Sequence, residues 1–309
     1  MFLRKMALFA MILLLILTLM NYWMHRTGDE TSSPHYPLQY GEVFYPKVNA
    51  DAIILGASQA THGINPRYLE SDHLKIYNFS LNGAGPSFHL KWYKKIFQHH
   101  YGKPSHVIYG VHWTMFDSTI LKRQFEQDSK YFPLHFFIRE MKDLKTLKPL
   151  LFSRFSFTSE RKGLLSRLIQ LFGKKRREVC PKSEYYRGFI PFETKRNLSR
   201  EVVNPKVEEL QLRAFEELLN EFQRGGIKVI FVQVPGYRYG FDSSAIKENT
   251  QLLKKIAEAR RIPFLDYETE RVSAINMNEA LFSDCAHLNG KGSEAFSKLL
   301  KKDLEGLLN

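Results

Sequence analysis

The chain has 309 residues, of which 44% are apolar, with 18 Gly and 13 Pro that follow no period. That composition suits one large or two small globular domains and excludes disordered, collagen-like and low-complexity classes. Two cysteines rule out a disulfide scaffold or a Cys-rich metal cluster, and the formal charge of +13 implies an anionic partner.

Met6–Met24 is a 19-residue stretch without a formal charge, dominated by Leu, Ile, Met and Phe. As a helix it would reach about 28 Å, enough to cross a hydrocarbon core. Arg4 and Lys5 precede it, Tyr22 and Trp23 sit at its far end, and Arg26 is soon followed by Asp29 and Glu30. The bias in basic residues predicts a single-pass anchor in the cell membrane over residues 1–30, with the N-terminus cytoplasmic and the body extracytoplasmic. A cleaved signal peptide is the competing reading, but no small-x-small cleavage pattern follows the apolar run. Residues 31–49 read as an extended linker to a domain spanning 50–309. An outside location argues against nucleic acid as the partner.

Five short apolar runs read as strands: Ala52–Gly56, Lys75–Phe79, His106–Val111, Lys228–Val234 and Pro263–Asp266. Most are continuous rather than alternating, as strands buried on both faces require. Helical patterns lie between and after them at Phe88–His99, Val207–Gln223, Thr250–Ala259 and Ser293–Leu308. Gly225 and Gly226 supply a stop after the second of these. The alternation predicts an α/β fold with a five-stranded parallel sheet between two helical layers. Chemistry is then expected beyond the carboxyl ends of the strands.

Residues 118–205 interrupt this alternation as an insertion carrying 20 Lys+Arg against 9 Asp+Glu. Within it, Leu164, Leu165, Leu168, Ile169 and Phe172 fall on one helical face, flanked by Arg161, Lys162, Arg167, Lys174, Lys175, Arg176 and Arg177. Such a basic amphipathic helix suits a membrane lipid surface or an anionic polymer. A helix packed on the domain with a solvated basic edge has the same pattern.

Three features could carry chemistry. Gly56-Ala57-Ser58-Gln59 puts a serine in a small-residue turn after the first strand, where its Oγ would be exposed. Asn82 and Gly83 follow the second strand, and Gly83 lets a backbone N–H approach a ligand closely. Asp284-Cys285-Ala286-His287 precedes the last helix, so a held loop would let the aspartate orient the imidazole. Each has a bland reading, as a connecting turn, a Gly-rich turn, and a capping Asp beside a surface His. His99, His100 and His106 have no acidic or Cys partner at ligand spacing and are expected on the surface, so no metal site is expected. Cys180 and Cys285 are open to a disulfide, which an oxidising exterior permits, or to remaining unpaired.

In this order the three features resemble the SGNH (GDSL-type) hydrolase and acyltransferase superfamily over most of residues 50–309. The resemblance implies a three-layer α/β/α, flavodoxin-like fold, Ser58 as nucleophile, Asp284 and His287 as acid and base, Gly83 as an oxyanion donor, and no cofactor. The sequence departs from the family's third motif. That motif places an asparagine donor after Gly-x, whereas this chain reads Gly110-Val111-His112-Trp113. His112 or Asn82 could supply the missing donor, or the backbone of Ser58 and Gly83 could act alone. The N-terminal anchor is similar to that of divergent members such as the D-alanyl transfer and alginate acetylation proteins. This resemblance implies a serine esterase or O-acyltransferase acting on acylated envelope carbohydrate, with a membrane-bound acyl donor protein as a partner. The alternative is a non-catalytic binding or scaffold subunit that keeps the fold. An α/β-hydrolase would instead place its serine after several strands and its acid and histidine on separate loops.

Overall fold

The computed structural model describes residues 50–117, 186–192, 198, 206–239 and 243–308, together with helical residues 4–6, 8–9, 11–13, 15–16 and 19. The chain divides into two units, Met1–Tyr40 with Asp128–Glu178, and Gly41–Gln127 with Val179–Asn309. Most of the apolar N-terminal stretch, the linker and the amphipathic segment around Gly163–Phe172 lie outside the described residues. Among the described residues no helix is long and apolar enough to cross a membrane.

The second unit is built on a parallel sheet of five strands: β1 (Ala52–Gly56), β2 (Ile76–Asn78), β3 (His106–Val111), β4 (Lys228–Gln233) and β5 (Phe264–Asp266), in the order β2-β1-β3-β4-β5. All five stand where the apolar runs predict them: β1 and β3 match residue for residue, β2 loses one residue at each end, and β4 and β5 lose one at one end. β1 and β3 are buried along their whole length, which is why their sequences do not alternate.

Helices cover both faces. On one face lie α1 (Ser58–Gly63), α2 (Pro66–Leu69) and the C-terminal α7 (Gly290–Leu304). Ala60, Ile64, Leu69, Phe296 and Leu300 pack there with Ile54, Ile108 and Val232 of the sheet. On the other face lie α3 (Pro86–Trp92), continued by a wide π turn over Tyr93–Phe97, and α4 (Glu209–Arg224). Phe215 of α4 meets Tyr109 at 5.3 Å and Phe231 at 5.4 Å between ring centres. Beyond these lie a long helix, α5 (Ser243–Ala259), a short one, α6 (Ala274–Met277), and a hairpin of β6 (Phe282–Asp284) and β7 (His287–Leu288).

Several expectations change. Helix α5 starts at Ser243, seven residues earlier than the apolar pattern shows, because its first turns carry few apolar residues. Helix α4 begins at Glu209, since Val207 bridges back to Asp117 instead. Leu210 is exposed, while the polar Gln211 is buried and accepts hydrogen bonds from the Ser87 N–H and hydroxyl at 3.0 and 2.9 Å. His106, expected at the surface, is buried because it opens a central strand, where its Nδ1 meets the Ser105 hydroxyl at 2.8 Å. His99 is exposed as expected. Helices α1, α2 and α6 and the β6–β7 hairpin are too short to leave a periodic signal.

Candidate active site

The site lies at the carboxyl ends of β1, β2 and β3. β1 and β3 pair in parallel with Gly56 opposite Gly110. This contact admits no side chain: a Cβ on Gly56 would stand 2.7 Å from the Gly110 carbonyl oxygen and 2.8 Å from the Ala60 Cβ. A Cβ on Gly110 would stand 2.5 Å from the same Ala60 Cβ. Helix α1 therefore sits hard against both strands, and Ser58 occupies its first position. The first N–H groups of a helix have no partner within it, so the Ser58 amide is available to a ligand.

The Asp284 and His287 side chains meet because of the hairpin. Asp284 and His287 are paired residues across β6 and β7, joined only by Cys285 and Ala286. The Ala286 N–H donates to Asp284 Oδ1 at 3.0 Å, which tightens the turn. His287 Nδ1–H donates to Asp284 Oδ1 at 2.7 Å, and Ser58 Oγ stands 2.7 Å from His287 Nε2. Burial works against the Asp284 charge, but the His287 ring N–H and the backbone N–H groups of Ala286 and His287 outweigh it, holding the carboxyl below the ordinary aspartate value. The hairpin is itself fixed. The Tyr237 N–H donates to the Cys285 carbonyl at 2.9 Å, and Asn289 caps α7 by accepting from the Gly292 N–H at 3.0 Å. Cys285 is buried, while Cys180 lies outside the described residues.

Gly83 follows β2 in a β-turn closed by Ala84 N–H to the Leu81 carbonyl at 3.0 Å. Its φ of +73° is the left-handed value that the third position of such a turn demands. Asn82 precedes it, with its side-chain oxygen buried and without a hydrogen-bond partner. His112 follows β3, buried, with Nδ1 facing the Thr114 N–H at 3.2 Å and the Thr114 hydroxyl at 2.7 Å. The structure thus brings Ser58, Asp284 and His287 into one hydrogen-bonded chain and sets Gly83, Asn82 and His112 on the neighbouring strand ends. The basic residues Arg161, Lys162, Arg167, Lys174, Lys175, Arg176 and Arg177 lie outside the described residues. Among the described residues no group of three or more His, Cys, Asp or Glu side chains is placed to hold a metal ion.

Four side chains at or behind the site escape the sequence reading. His62 stands one helical turn after Ser58, and its Nδ1–H donates to the Ile190 carbonyl at 2.8 Å. Phe192 stacks on His62 with ring centres 4.8 Å apart and meets His287 edge-on at 5.3 Å. The third contact of this trio, His62 to His287, spans 5.8 Å. Asn78 ties the end of β2 to α1 by donating to the Ala60 and Ile64 carbonyls, both at 2.9 Å. His89 lies beneath the turn that carries Ser58. Its Nε2–H donates to the Gly56 carbonyl at 3.1 Å, so its Nδ1 must accept from the Tyr109 hydroxyl at 2.6 Å. Only His62 had a usable signal, the four-residue spacing from Ser58 that puts both on one helix face. The other contacts join residues too far apart in sequence for any pattern to show.

No protein-family model and no curated protein matches this chain. Among solved structures, it is similar to a candidate acylhydrolase from Bacteroides fragilis at 13% identity and a TM-score of 0.44, over 90% of this chain and 98% of that one. It is similar to a candidate lipolytic protein of the G-D-S-L family from Desulfitobacterium hafniense at 14% identity and a TM-score of 0.42, over 82% and 99% of the two chains. A GDSL-like lipase from Bacteroides thetaiotaomicron is similar at 12% identity and a TM-score of 0.41, over 93% and 98%. At these identities and scores no residue role passes from those proteins to this one.

Proposed function

We propose that this chain is a serine-dependent acyl hydrolase or O-acyltransferase of the SGNH type. One observation carries the reading: Ser58, His287 and Asp284 form a continuous hydrogen-bonded chain with both links at 2.7 Å. Ser58 Oγ attacks an acyl carbonyl as its proton passes to His287 Nε2. Asp284 fixes the imidazole with its proton on Nδ1 and stabilises the charged ring. The tetrahedral intermediate collapses when His287 returns the proton to the departing alcohol. The N–H groups of Ser58 and Gly83 are the proposed donors to the developing oxyanion. Water as the second acceptor gives hydrolysis, and a sugar hydroxyl gives transfer.

The reading extends to substrate and place. The charge-free Met6–Met24 stretch, whose described Leu, Ile, Met and Phe residues are helical and exposed, supports an anchor in the membrane. The basic insertion supports an anionic envelope polymer or the lipid surface as a contact, with an acylated carbohydrate as substrate and a membrane-bound acyl donor protein as supplier.

The test is reaction of the full-length chain with a fluorophosphonate, read by intact mass. One phosphonyl adduct is expected, absent from Ser58→Ala and His287→Ala. An unlabelled wild type, or labelling that persists in Ser58→Ala, would overturn the mechanism.

A further inference from the structure

We propose that the His112 imidazole, donating from Nε2, is a further hydrogen-bond donor to the oxyanion formed at Ser58. The proposal rests on the serine mechanism above and names a catalytic residue for it.

Placement comes first. Gly56 and Gly110 are paired across β1 and β3, and Ser58 and His112 each stand two residues beyond them. The two side chains thus leave adjacent strand ends on the same edge of the sheet. The tautomer comes next. The Thr114 N–H donates to His112 Nδ1 at 3.2 Å. A backbone N–H has no lone pair to offer, so Nδ1 is the acceptor and the ring proton sits on Nε2. The Thr114 hydroxyl at 2.7 Å lies against the same nitrogen. Donation into Nδ1 polarises the ring and strengthens Nε2–H as a donor.

Charge state is consistent with this. Burial, and then the nearby charge of His287, lower His112 to about 3. The ring therefore stays neutral while His287 cycles, and a neutral imidazole can act as an electrophile toward developing negative charge. Asn82 is the competing donor, but its buried side-chain oxygen accepts no hydrogen bond that would hold the amide in place.

The step balances as follows. The Ser58 Oγ–C bond forms as the carbonyl π pair moves onto oxygen. The Ser58 proton goes to His287 Nε2. His112 Nε2 keeps its proton throughout and only hydrogen-bonds the oxyanion.

The test compares full-length His112→Ala, His112→Gln, Asn82→Ala and Ser58→Ala by their second-order rate constants with a fluorophosphonate and their affinity for an alkylboronic acid, a tetrahedral mimic. His112→Ala should slow labelling about 100-fold and weaken the boronate in parallel. His112→Gln, which restores a side-chain N–H, should recover at least tenfold, and Asn82→Ala should change little. Should His112→Ala fail to fold by thermal melt, His112→Gln and Asn82→Ala carry the comparison. The proposal is overturned if His112→Ala labels at the wild-type rate, if Asn82→Ala takes the larger loss, or if His112→Gln melts normally yet recovers nothing. Labelling that survives Ser58→Ala would instead strike the serine mechanism itself.

Discussion

The ends of β1 and β3 lie side by side and deliver their side chains by opposite means. Past Gly56 the chain turns at once into α1, and Ser58 is placed by backbone shape: two bare glycines and Ala60 packed into one contact. Past Gly110 the chain continues through Val111, and His112 is placed by its own side chain, pinned at Nδ1 by Thr114. The first arrangement is sensitive to added volume anywhere in its contact. The second is sensitive to hydrogen-bond chemistry at one atom. The Asp284–His287 hairpin combines both, with a tight turn holding a charged hydrogen bond.

The largest effect is expected where that charged bond is broken without changing shape. Asp284→Asn keeps the volume but presents an amide to His287 Nδ1, which favours the wrong tautomer. Turnover of an activated ester should fall on the order of 10⁴-fold with little change in KM. A loss under tenfold would mean that the hairpin geometry alone orients the imidazole.

Gly110→Ala should come next, and it addresses the β1 end. The new methyl would stand 2.5 Å from the Ala60 Cβ, so strand or helix must shift to admit it. Overpacking of this kind costs about 1–3 kcal/mol, readable by chemical denaturation. Displacement of α1 should also cut fluorophosphonate labelling of Ser58. A stable variant with normal labelling would show that the Gly–Gly–Ala contact does not position the serine.

The β1 end was legible in the sequence because its signals are local: a buried apolar run, then small residues, then Ser. Asp284 and His287 were legible because both partners lie within one turn. The five strands were legible from continuous apolar runs, and α7 from its periodic pattern over Ser293–Leu308, although the helix runs over Gly290–Leu304. The β3 end was harder. His112 could be named as a candidate, but its tautomer depends on a bond to Thr114 that no spacing rule encodes. His89 and Phe192 were invisible for a different reason. His89 reaches Gly56 across 33 positions and Phe192 reaches His287 across 95, so only the folded sheet brings them together. The start of α5 was missed because local amphipathicity there is weak and tertiary packing decides the helix.

His89 offers a pH test of the support beneath Ser58. Burial lowers its pKa to about 4, against the Gly56 carbonyl, which favours the charged ring. The unfolded chain, with histidine near 6.5, takes up the proton first as pH falls. The His89 contribution is therefore full above pH 6.5 and is lost as pH falls toward about 4. Its size is on the order of 3 kcal/mol. His112 acts in the same sense, and Glu268, which burial raises to about 7, acts in the opposite one. A difference measurement removes both. The stability gap between wild type and His89→Gln should shrink as pH falls from 7 to 4, and a gap independent of pH would refute the assignment.

Phe192 should give the smallest effect and the finest distinction. Its carbonyl accepts from the Ser283 hydroxyl and the neighbouring Ile190 carbonyl accepts from His62, so the strap is held at both ends of the ring contact. An aromatic pair of this geometry contributes about 0.5–1.5 kcal/mol, which predicts a loss of roughly three- to tenfold in labelling rate for Phe192→Ala. Two causes would produce that loss. If the ring merely fills space beside His287, Phe192→Leu should restore the rate, because volume is returned. If the flat face of the ring sets the tilt of the imidazole, Leu should fail and Phe192→Tyr should succeed. The second outcome would make the proposed base His287, like His112, a side chain positioned by side-chain contacts, leaving Ser58 positioned chiefly by the main chain.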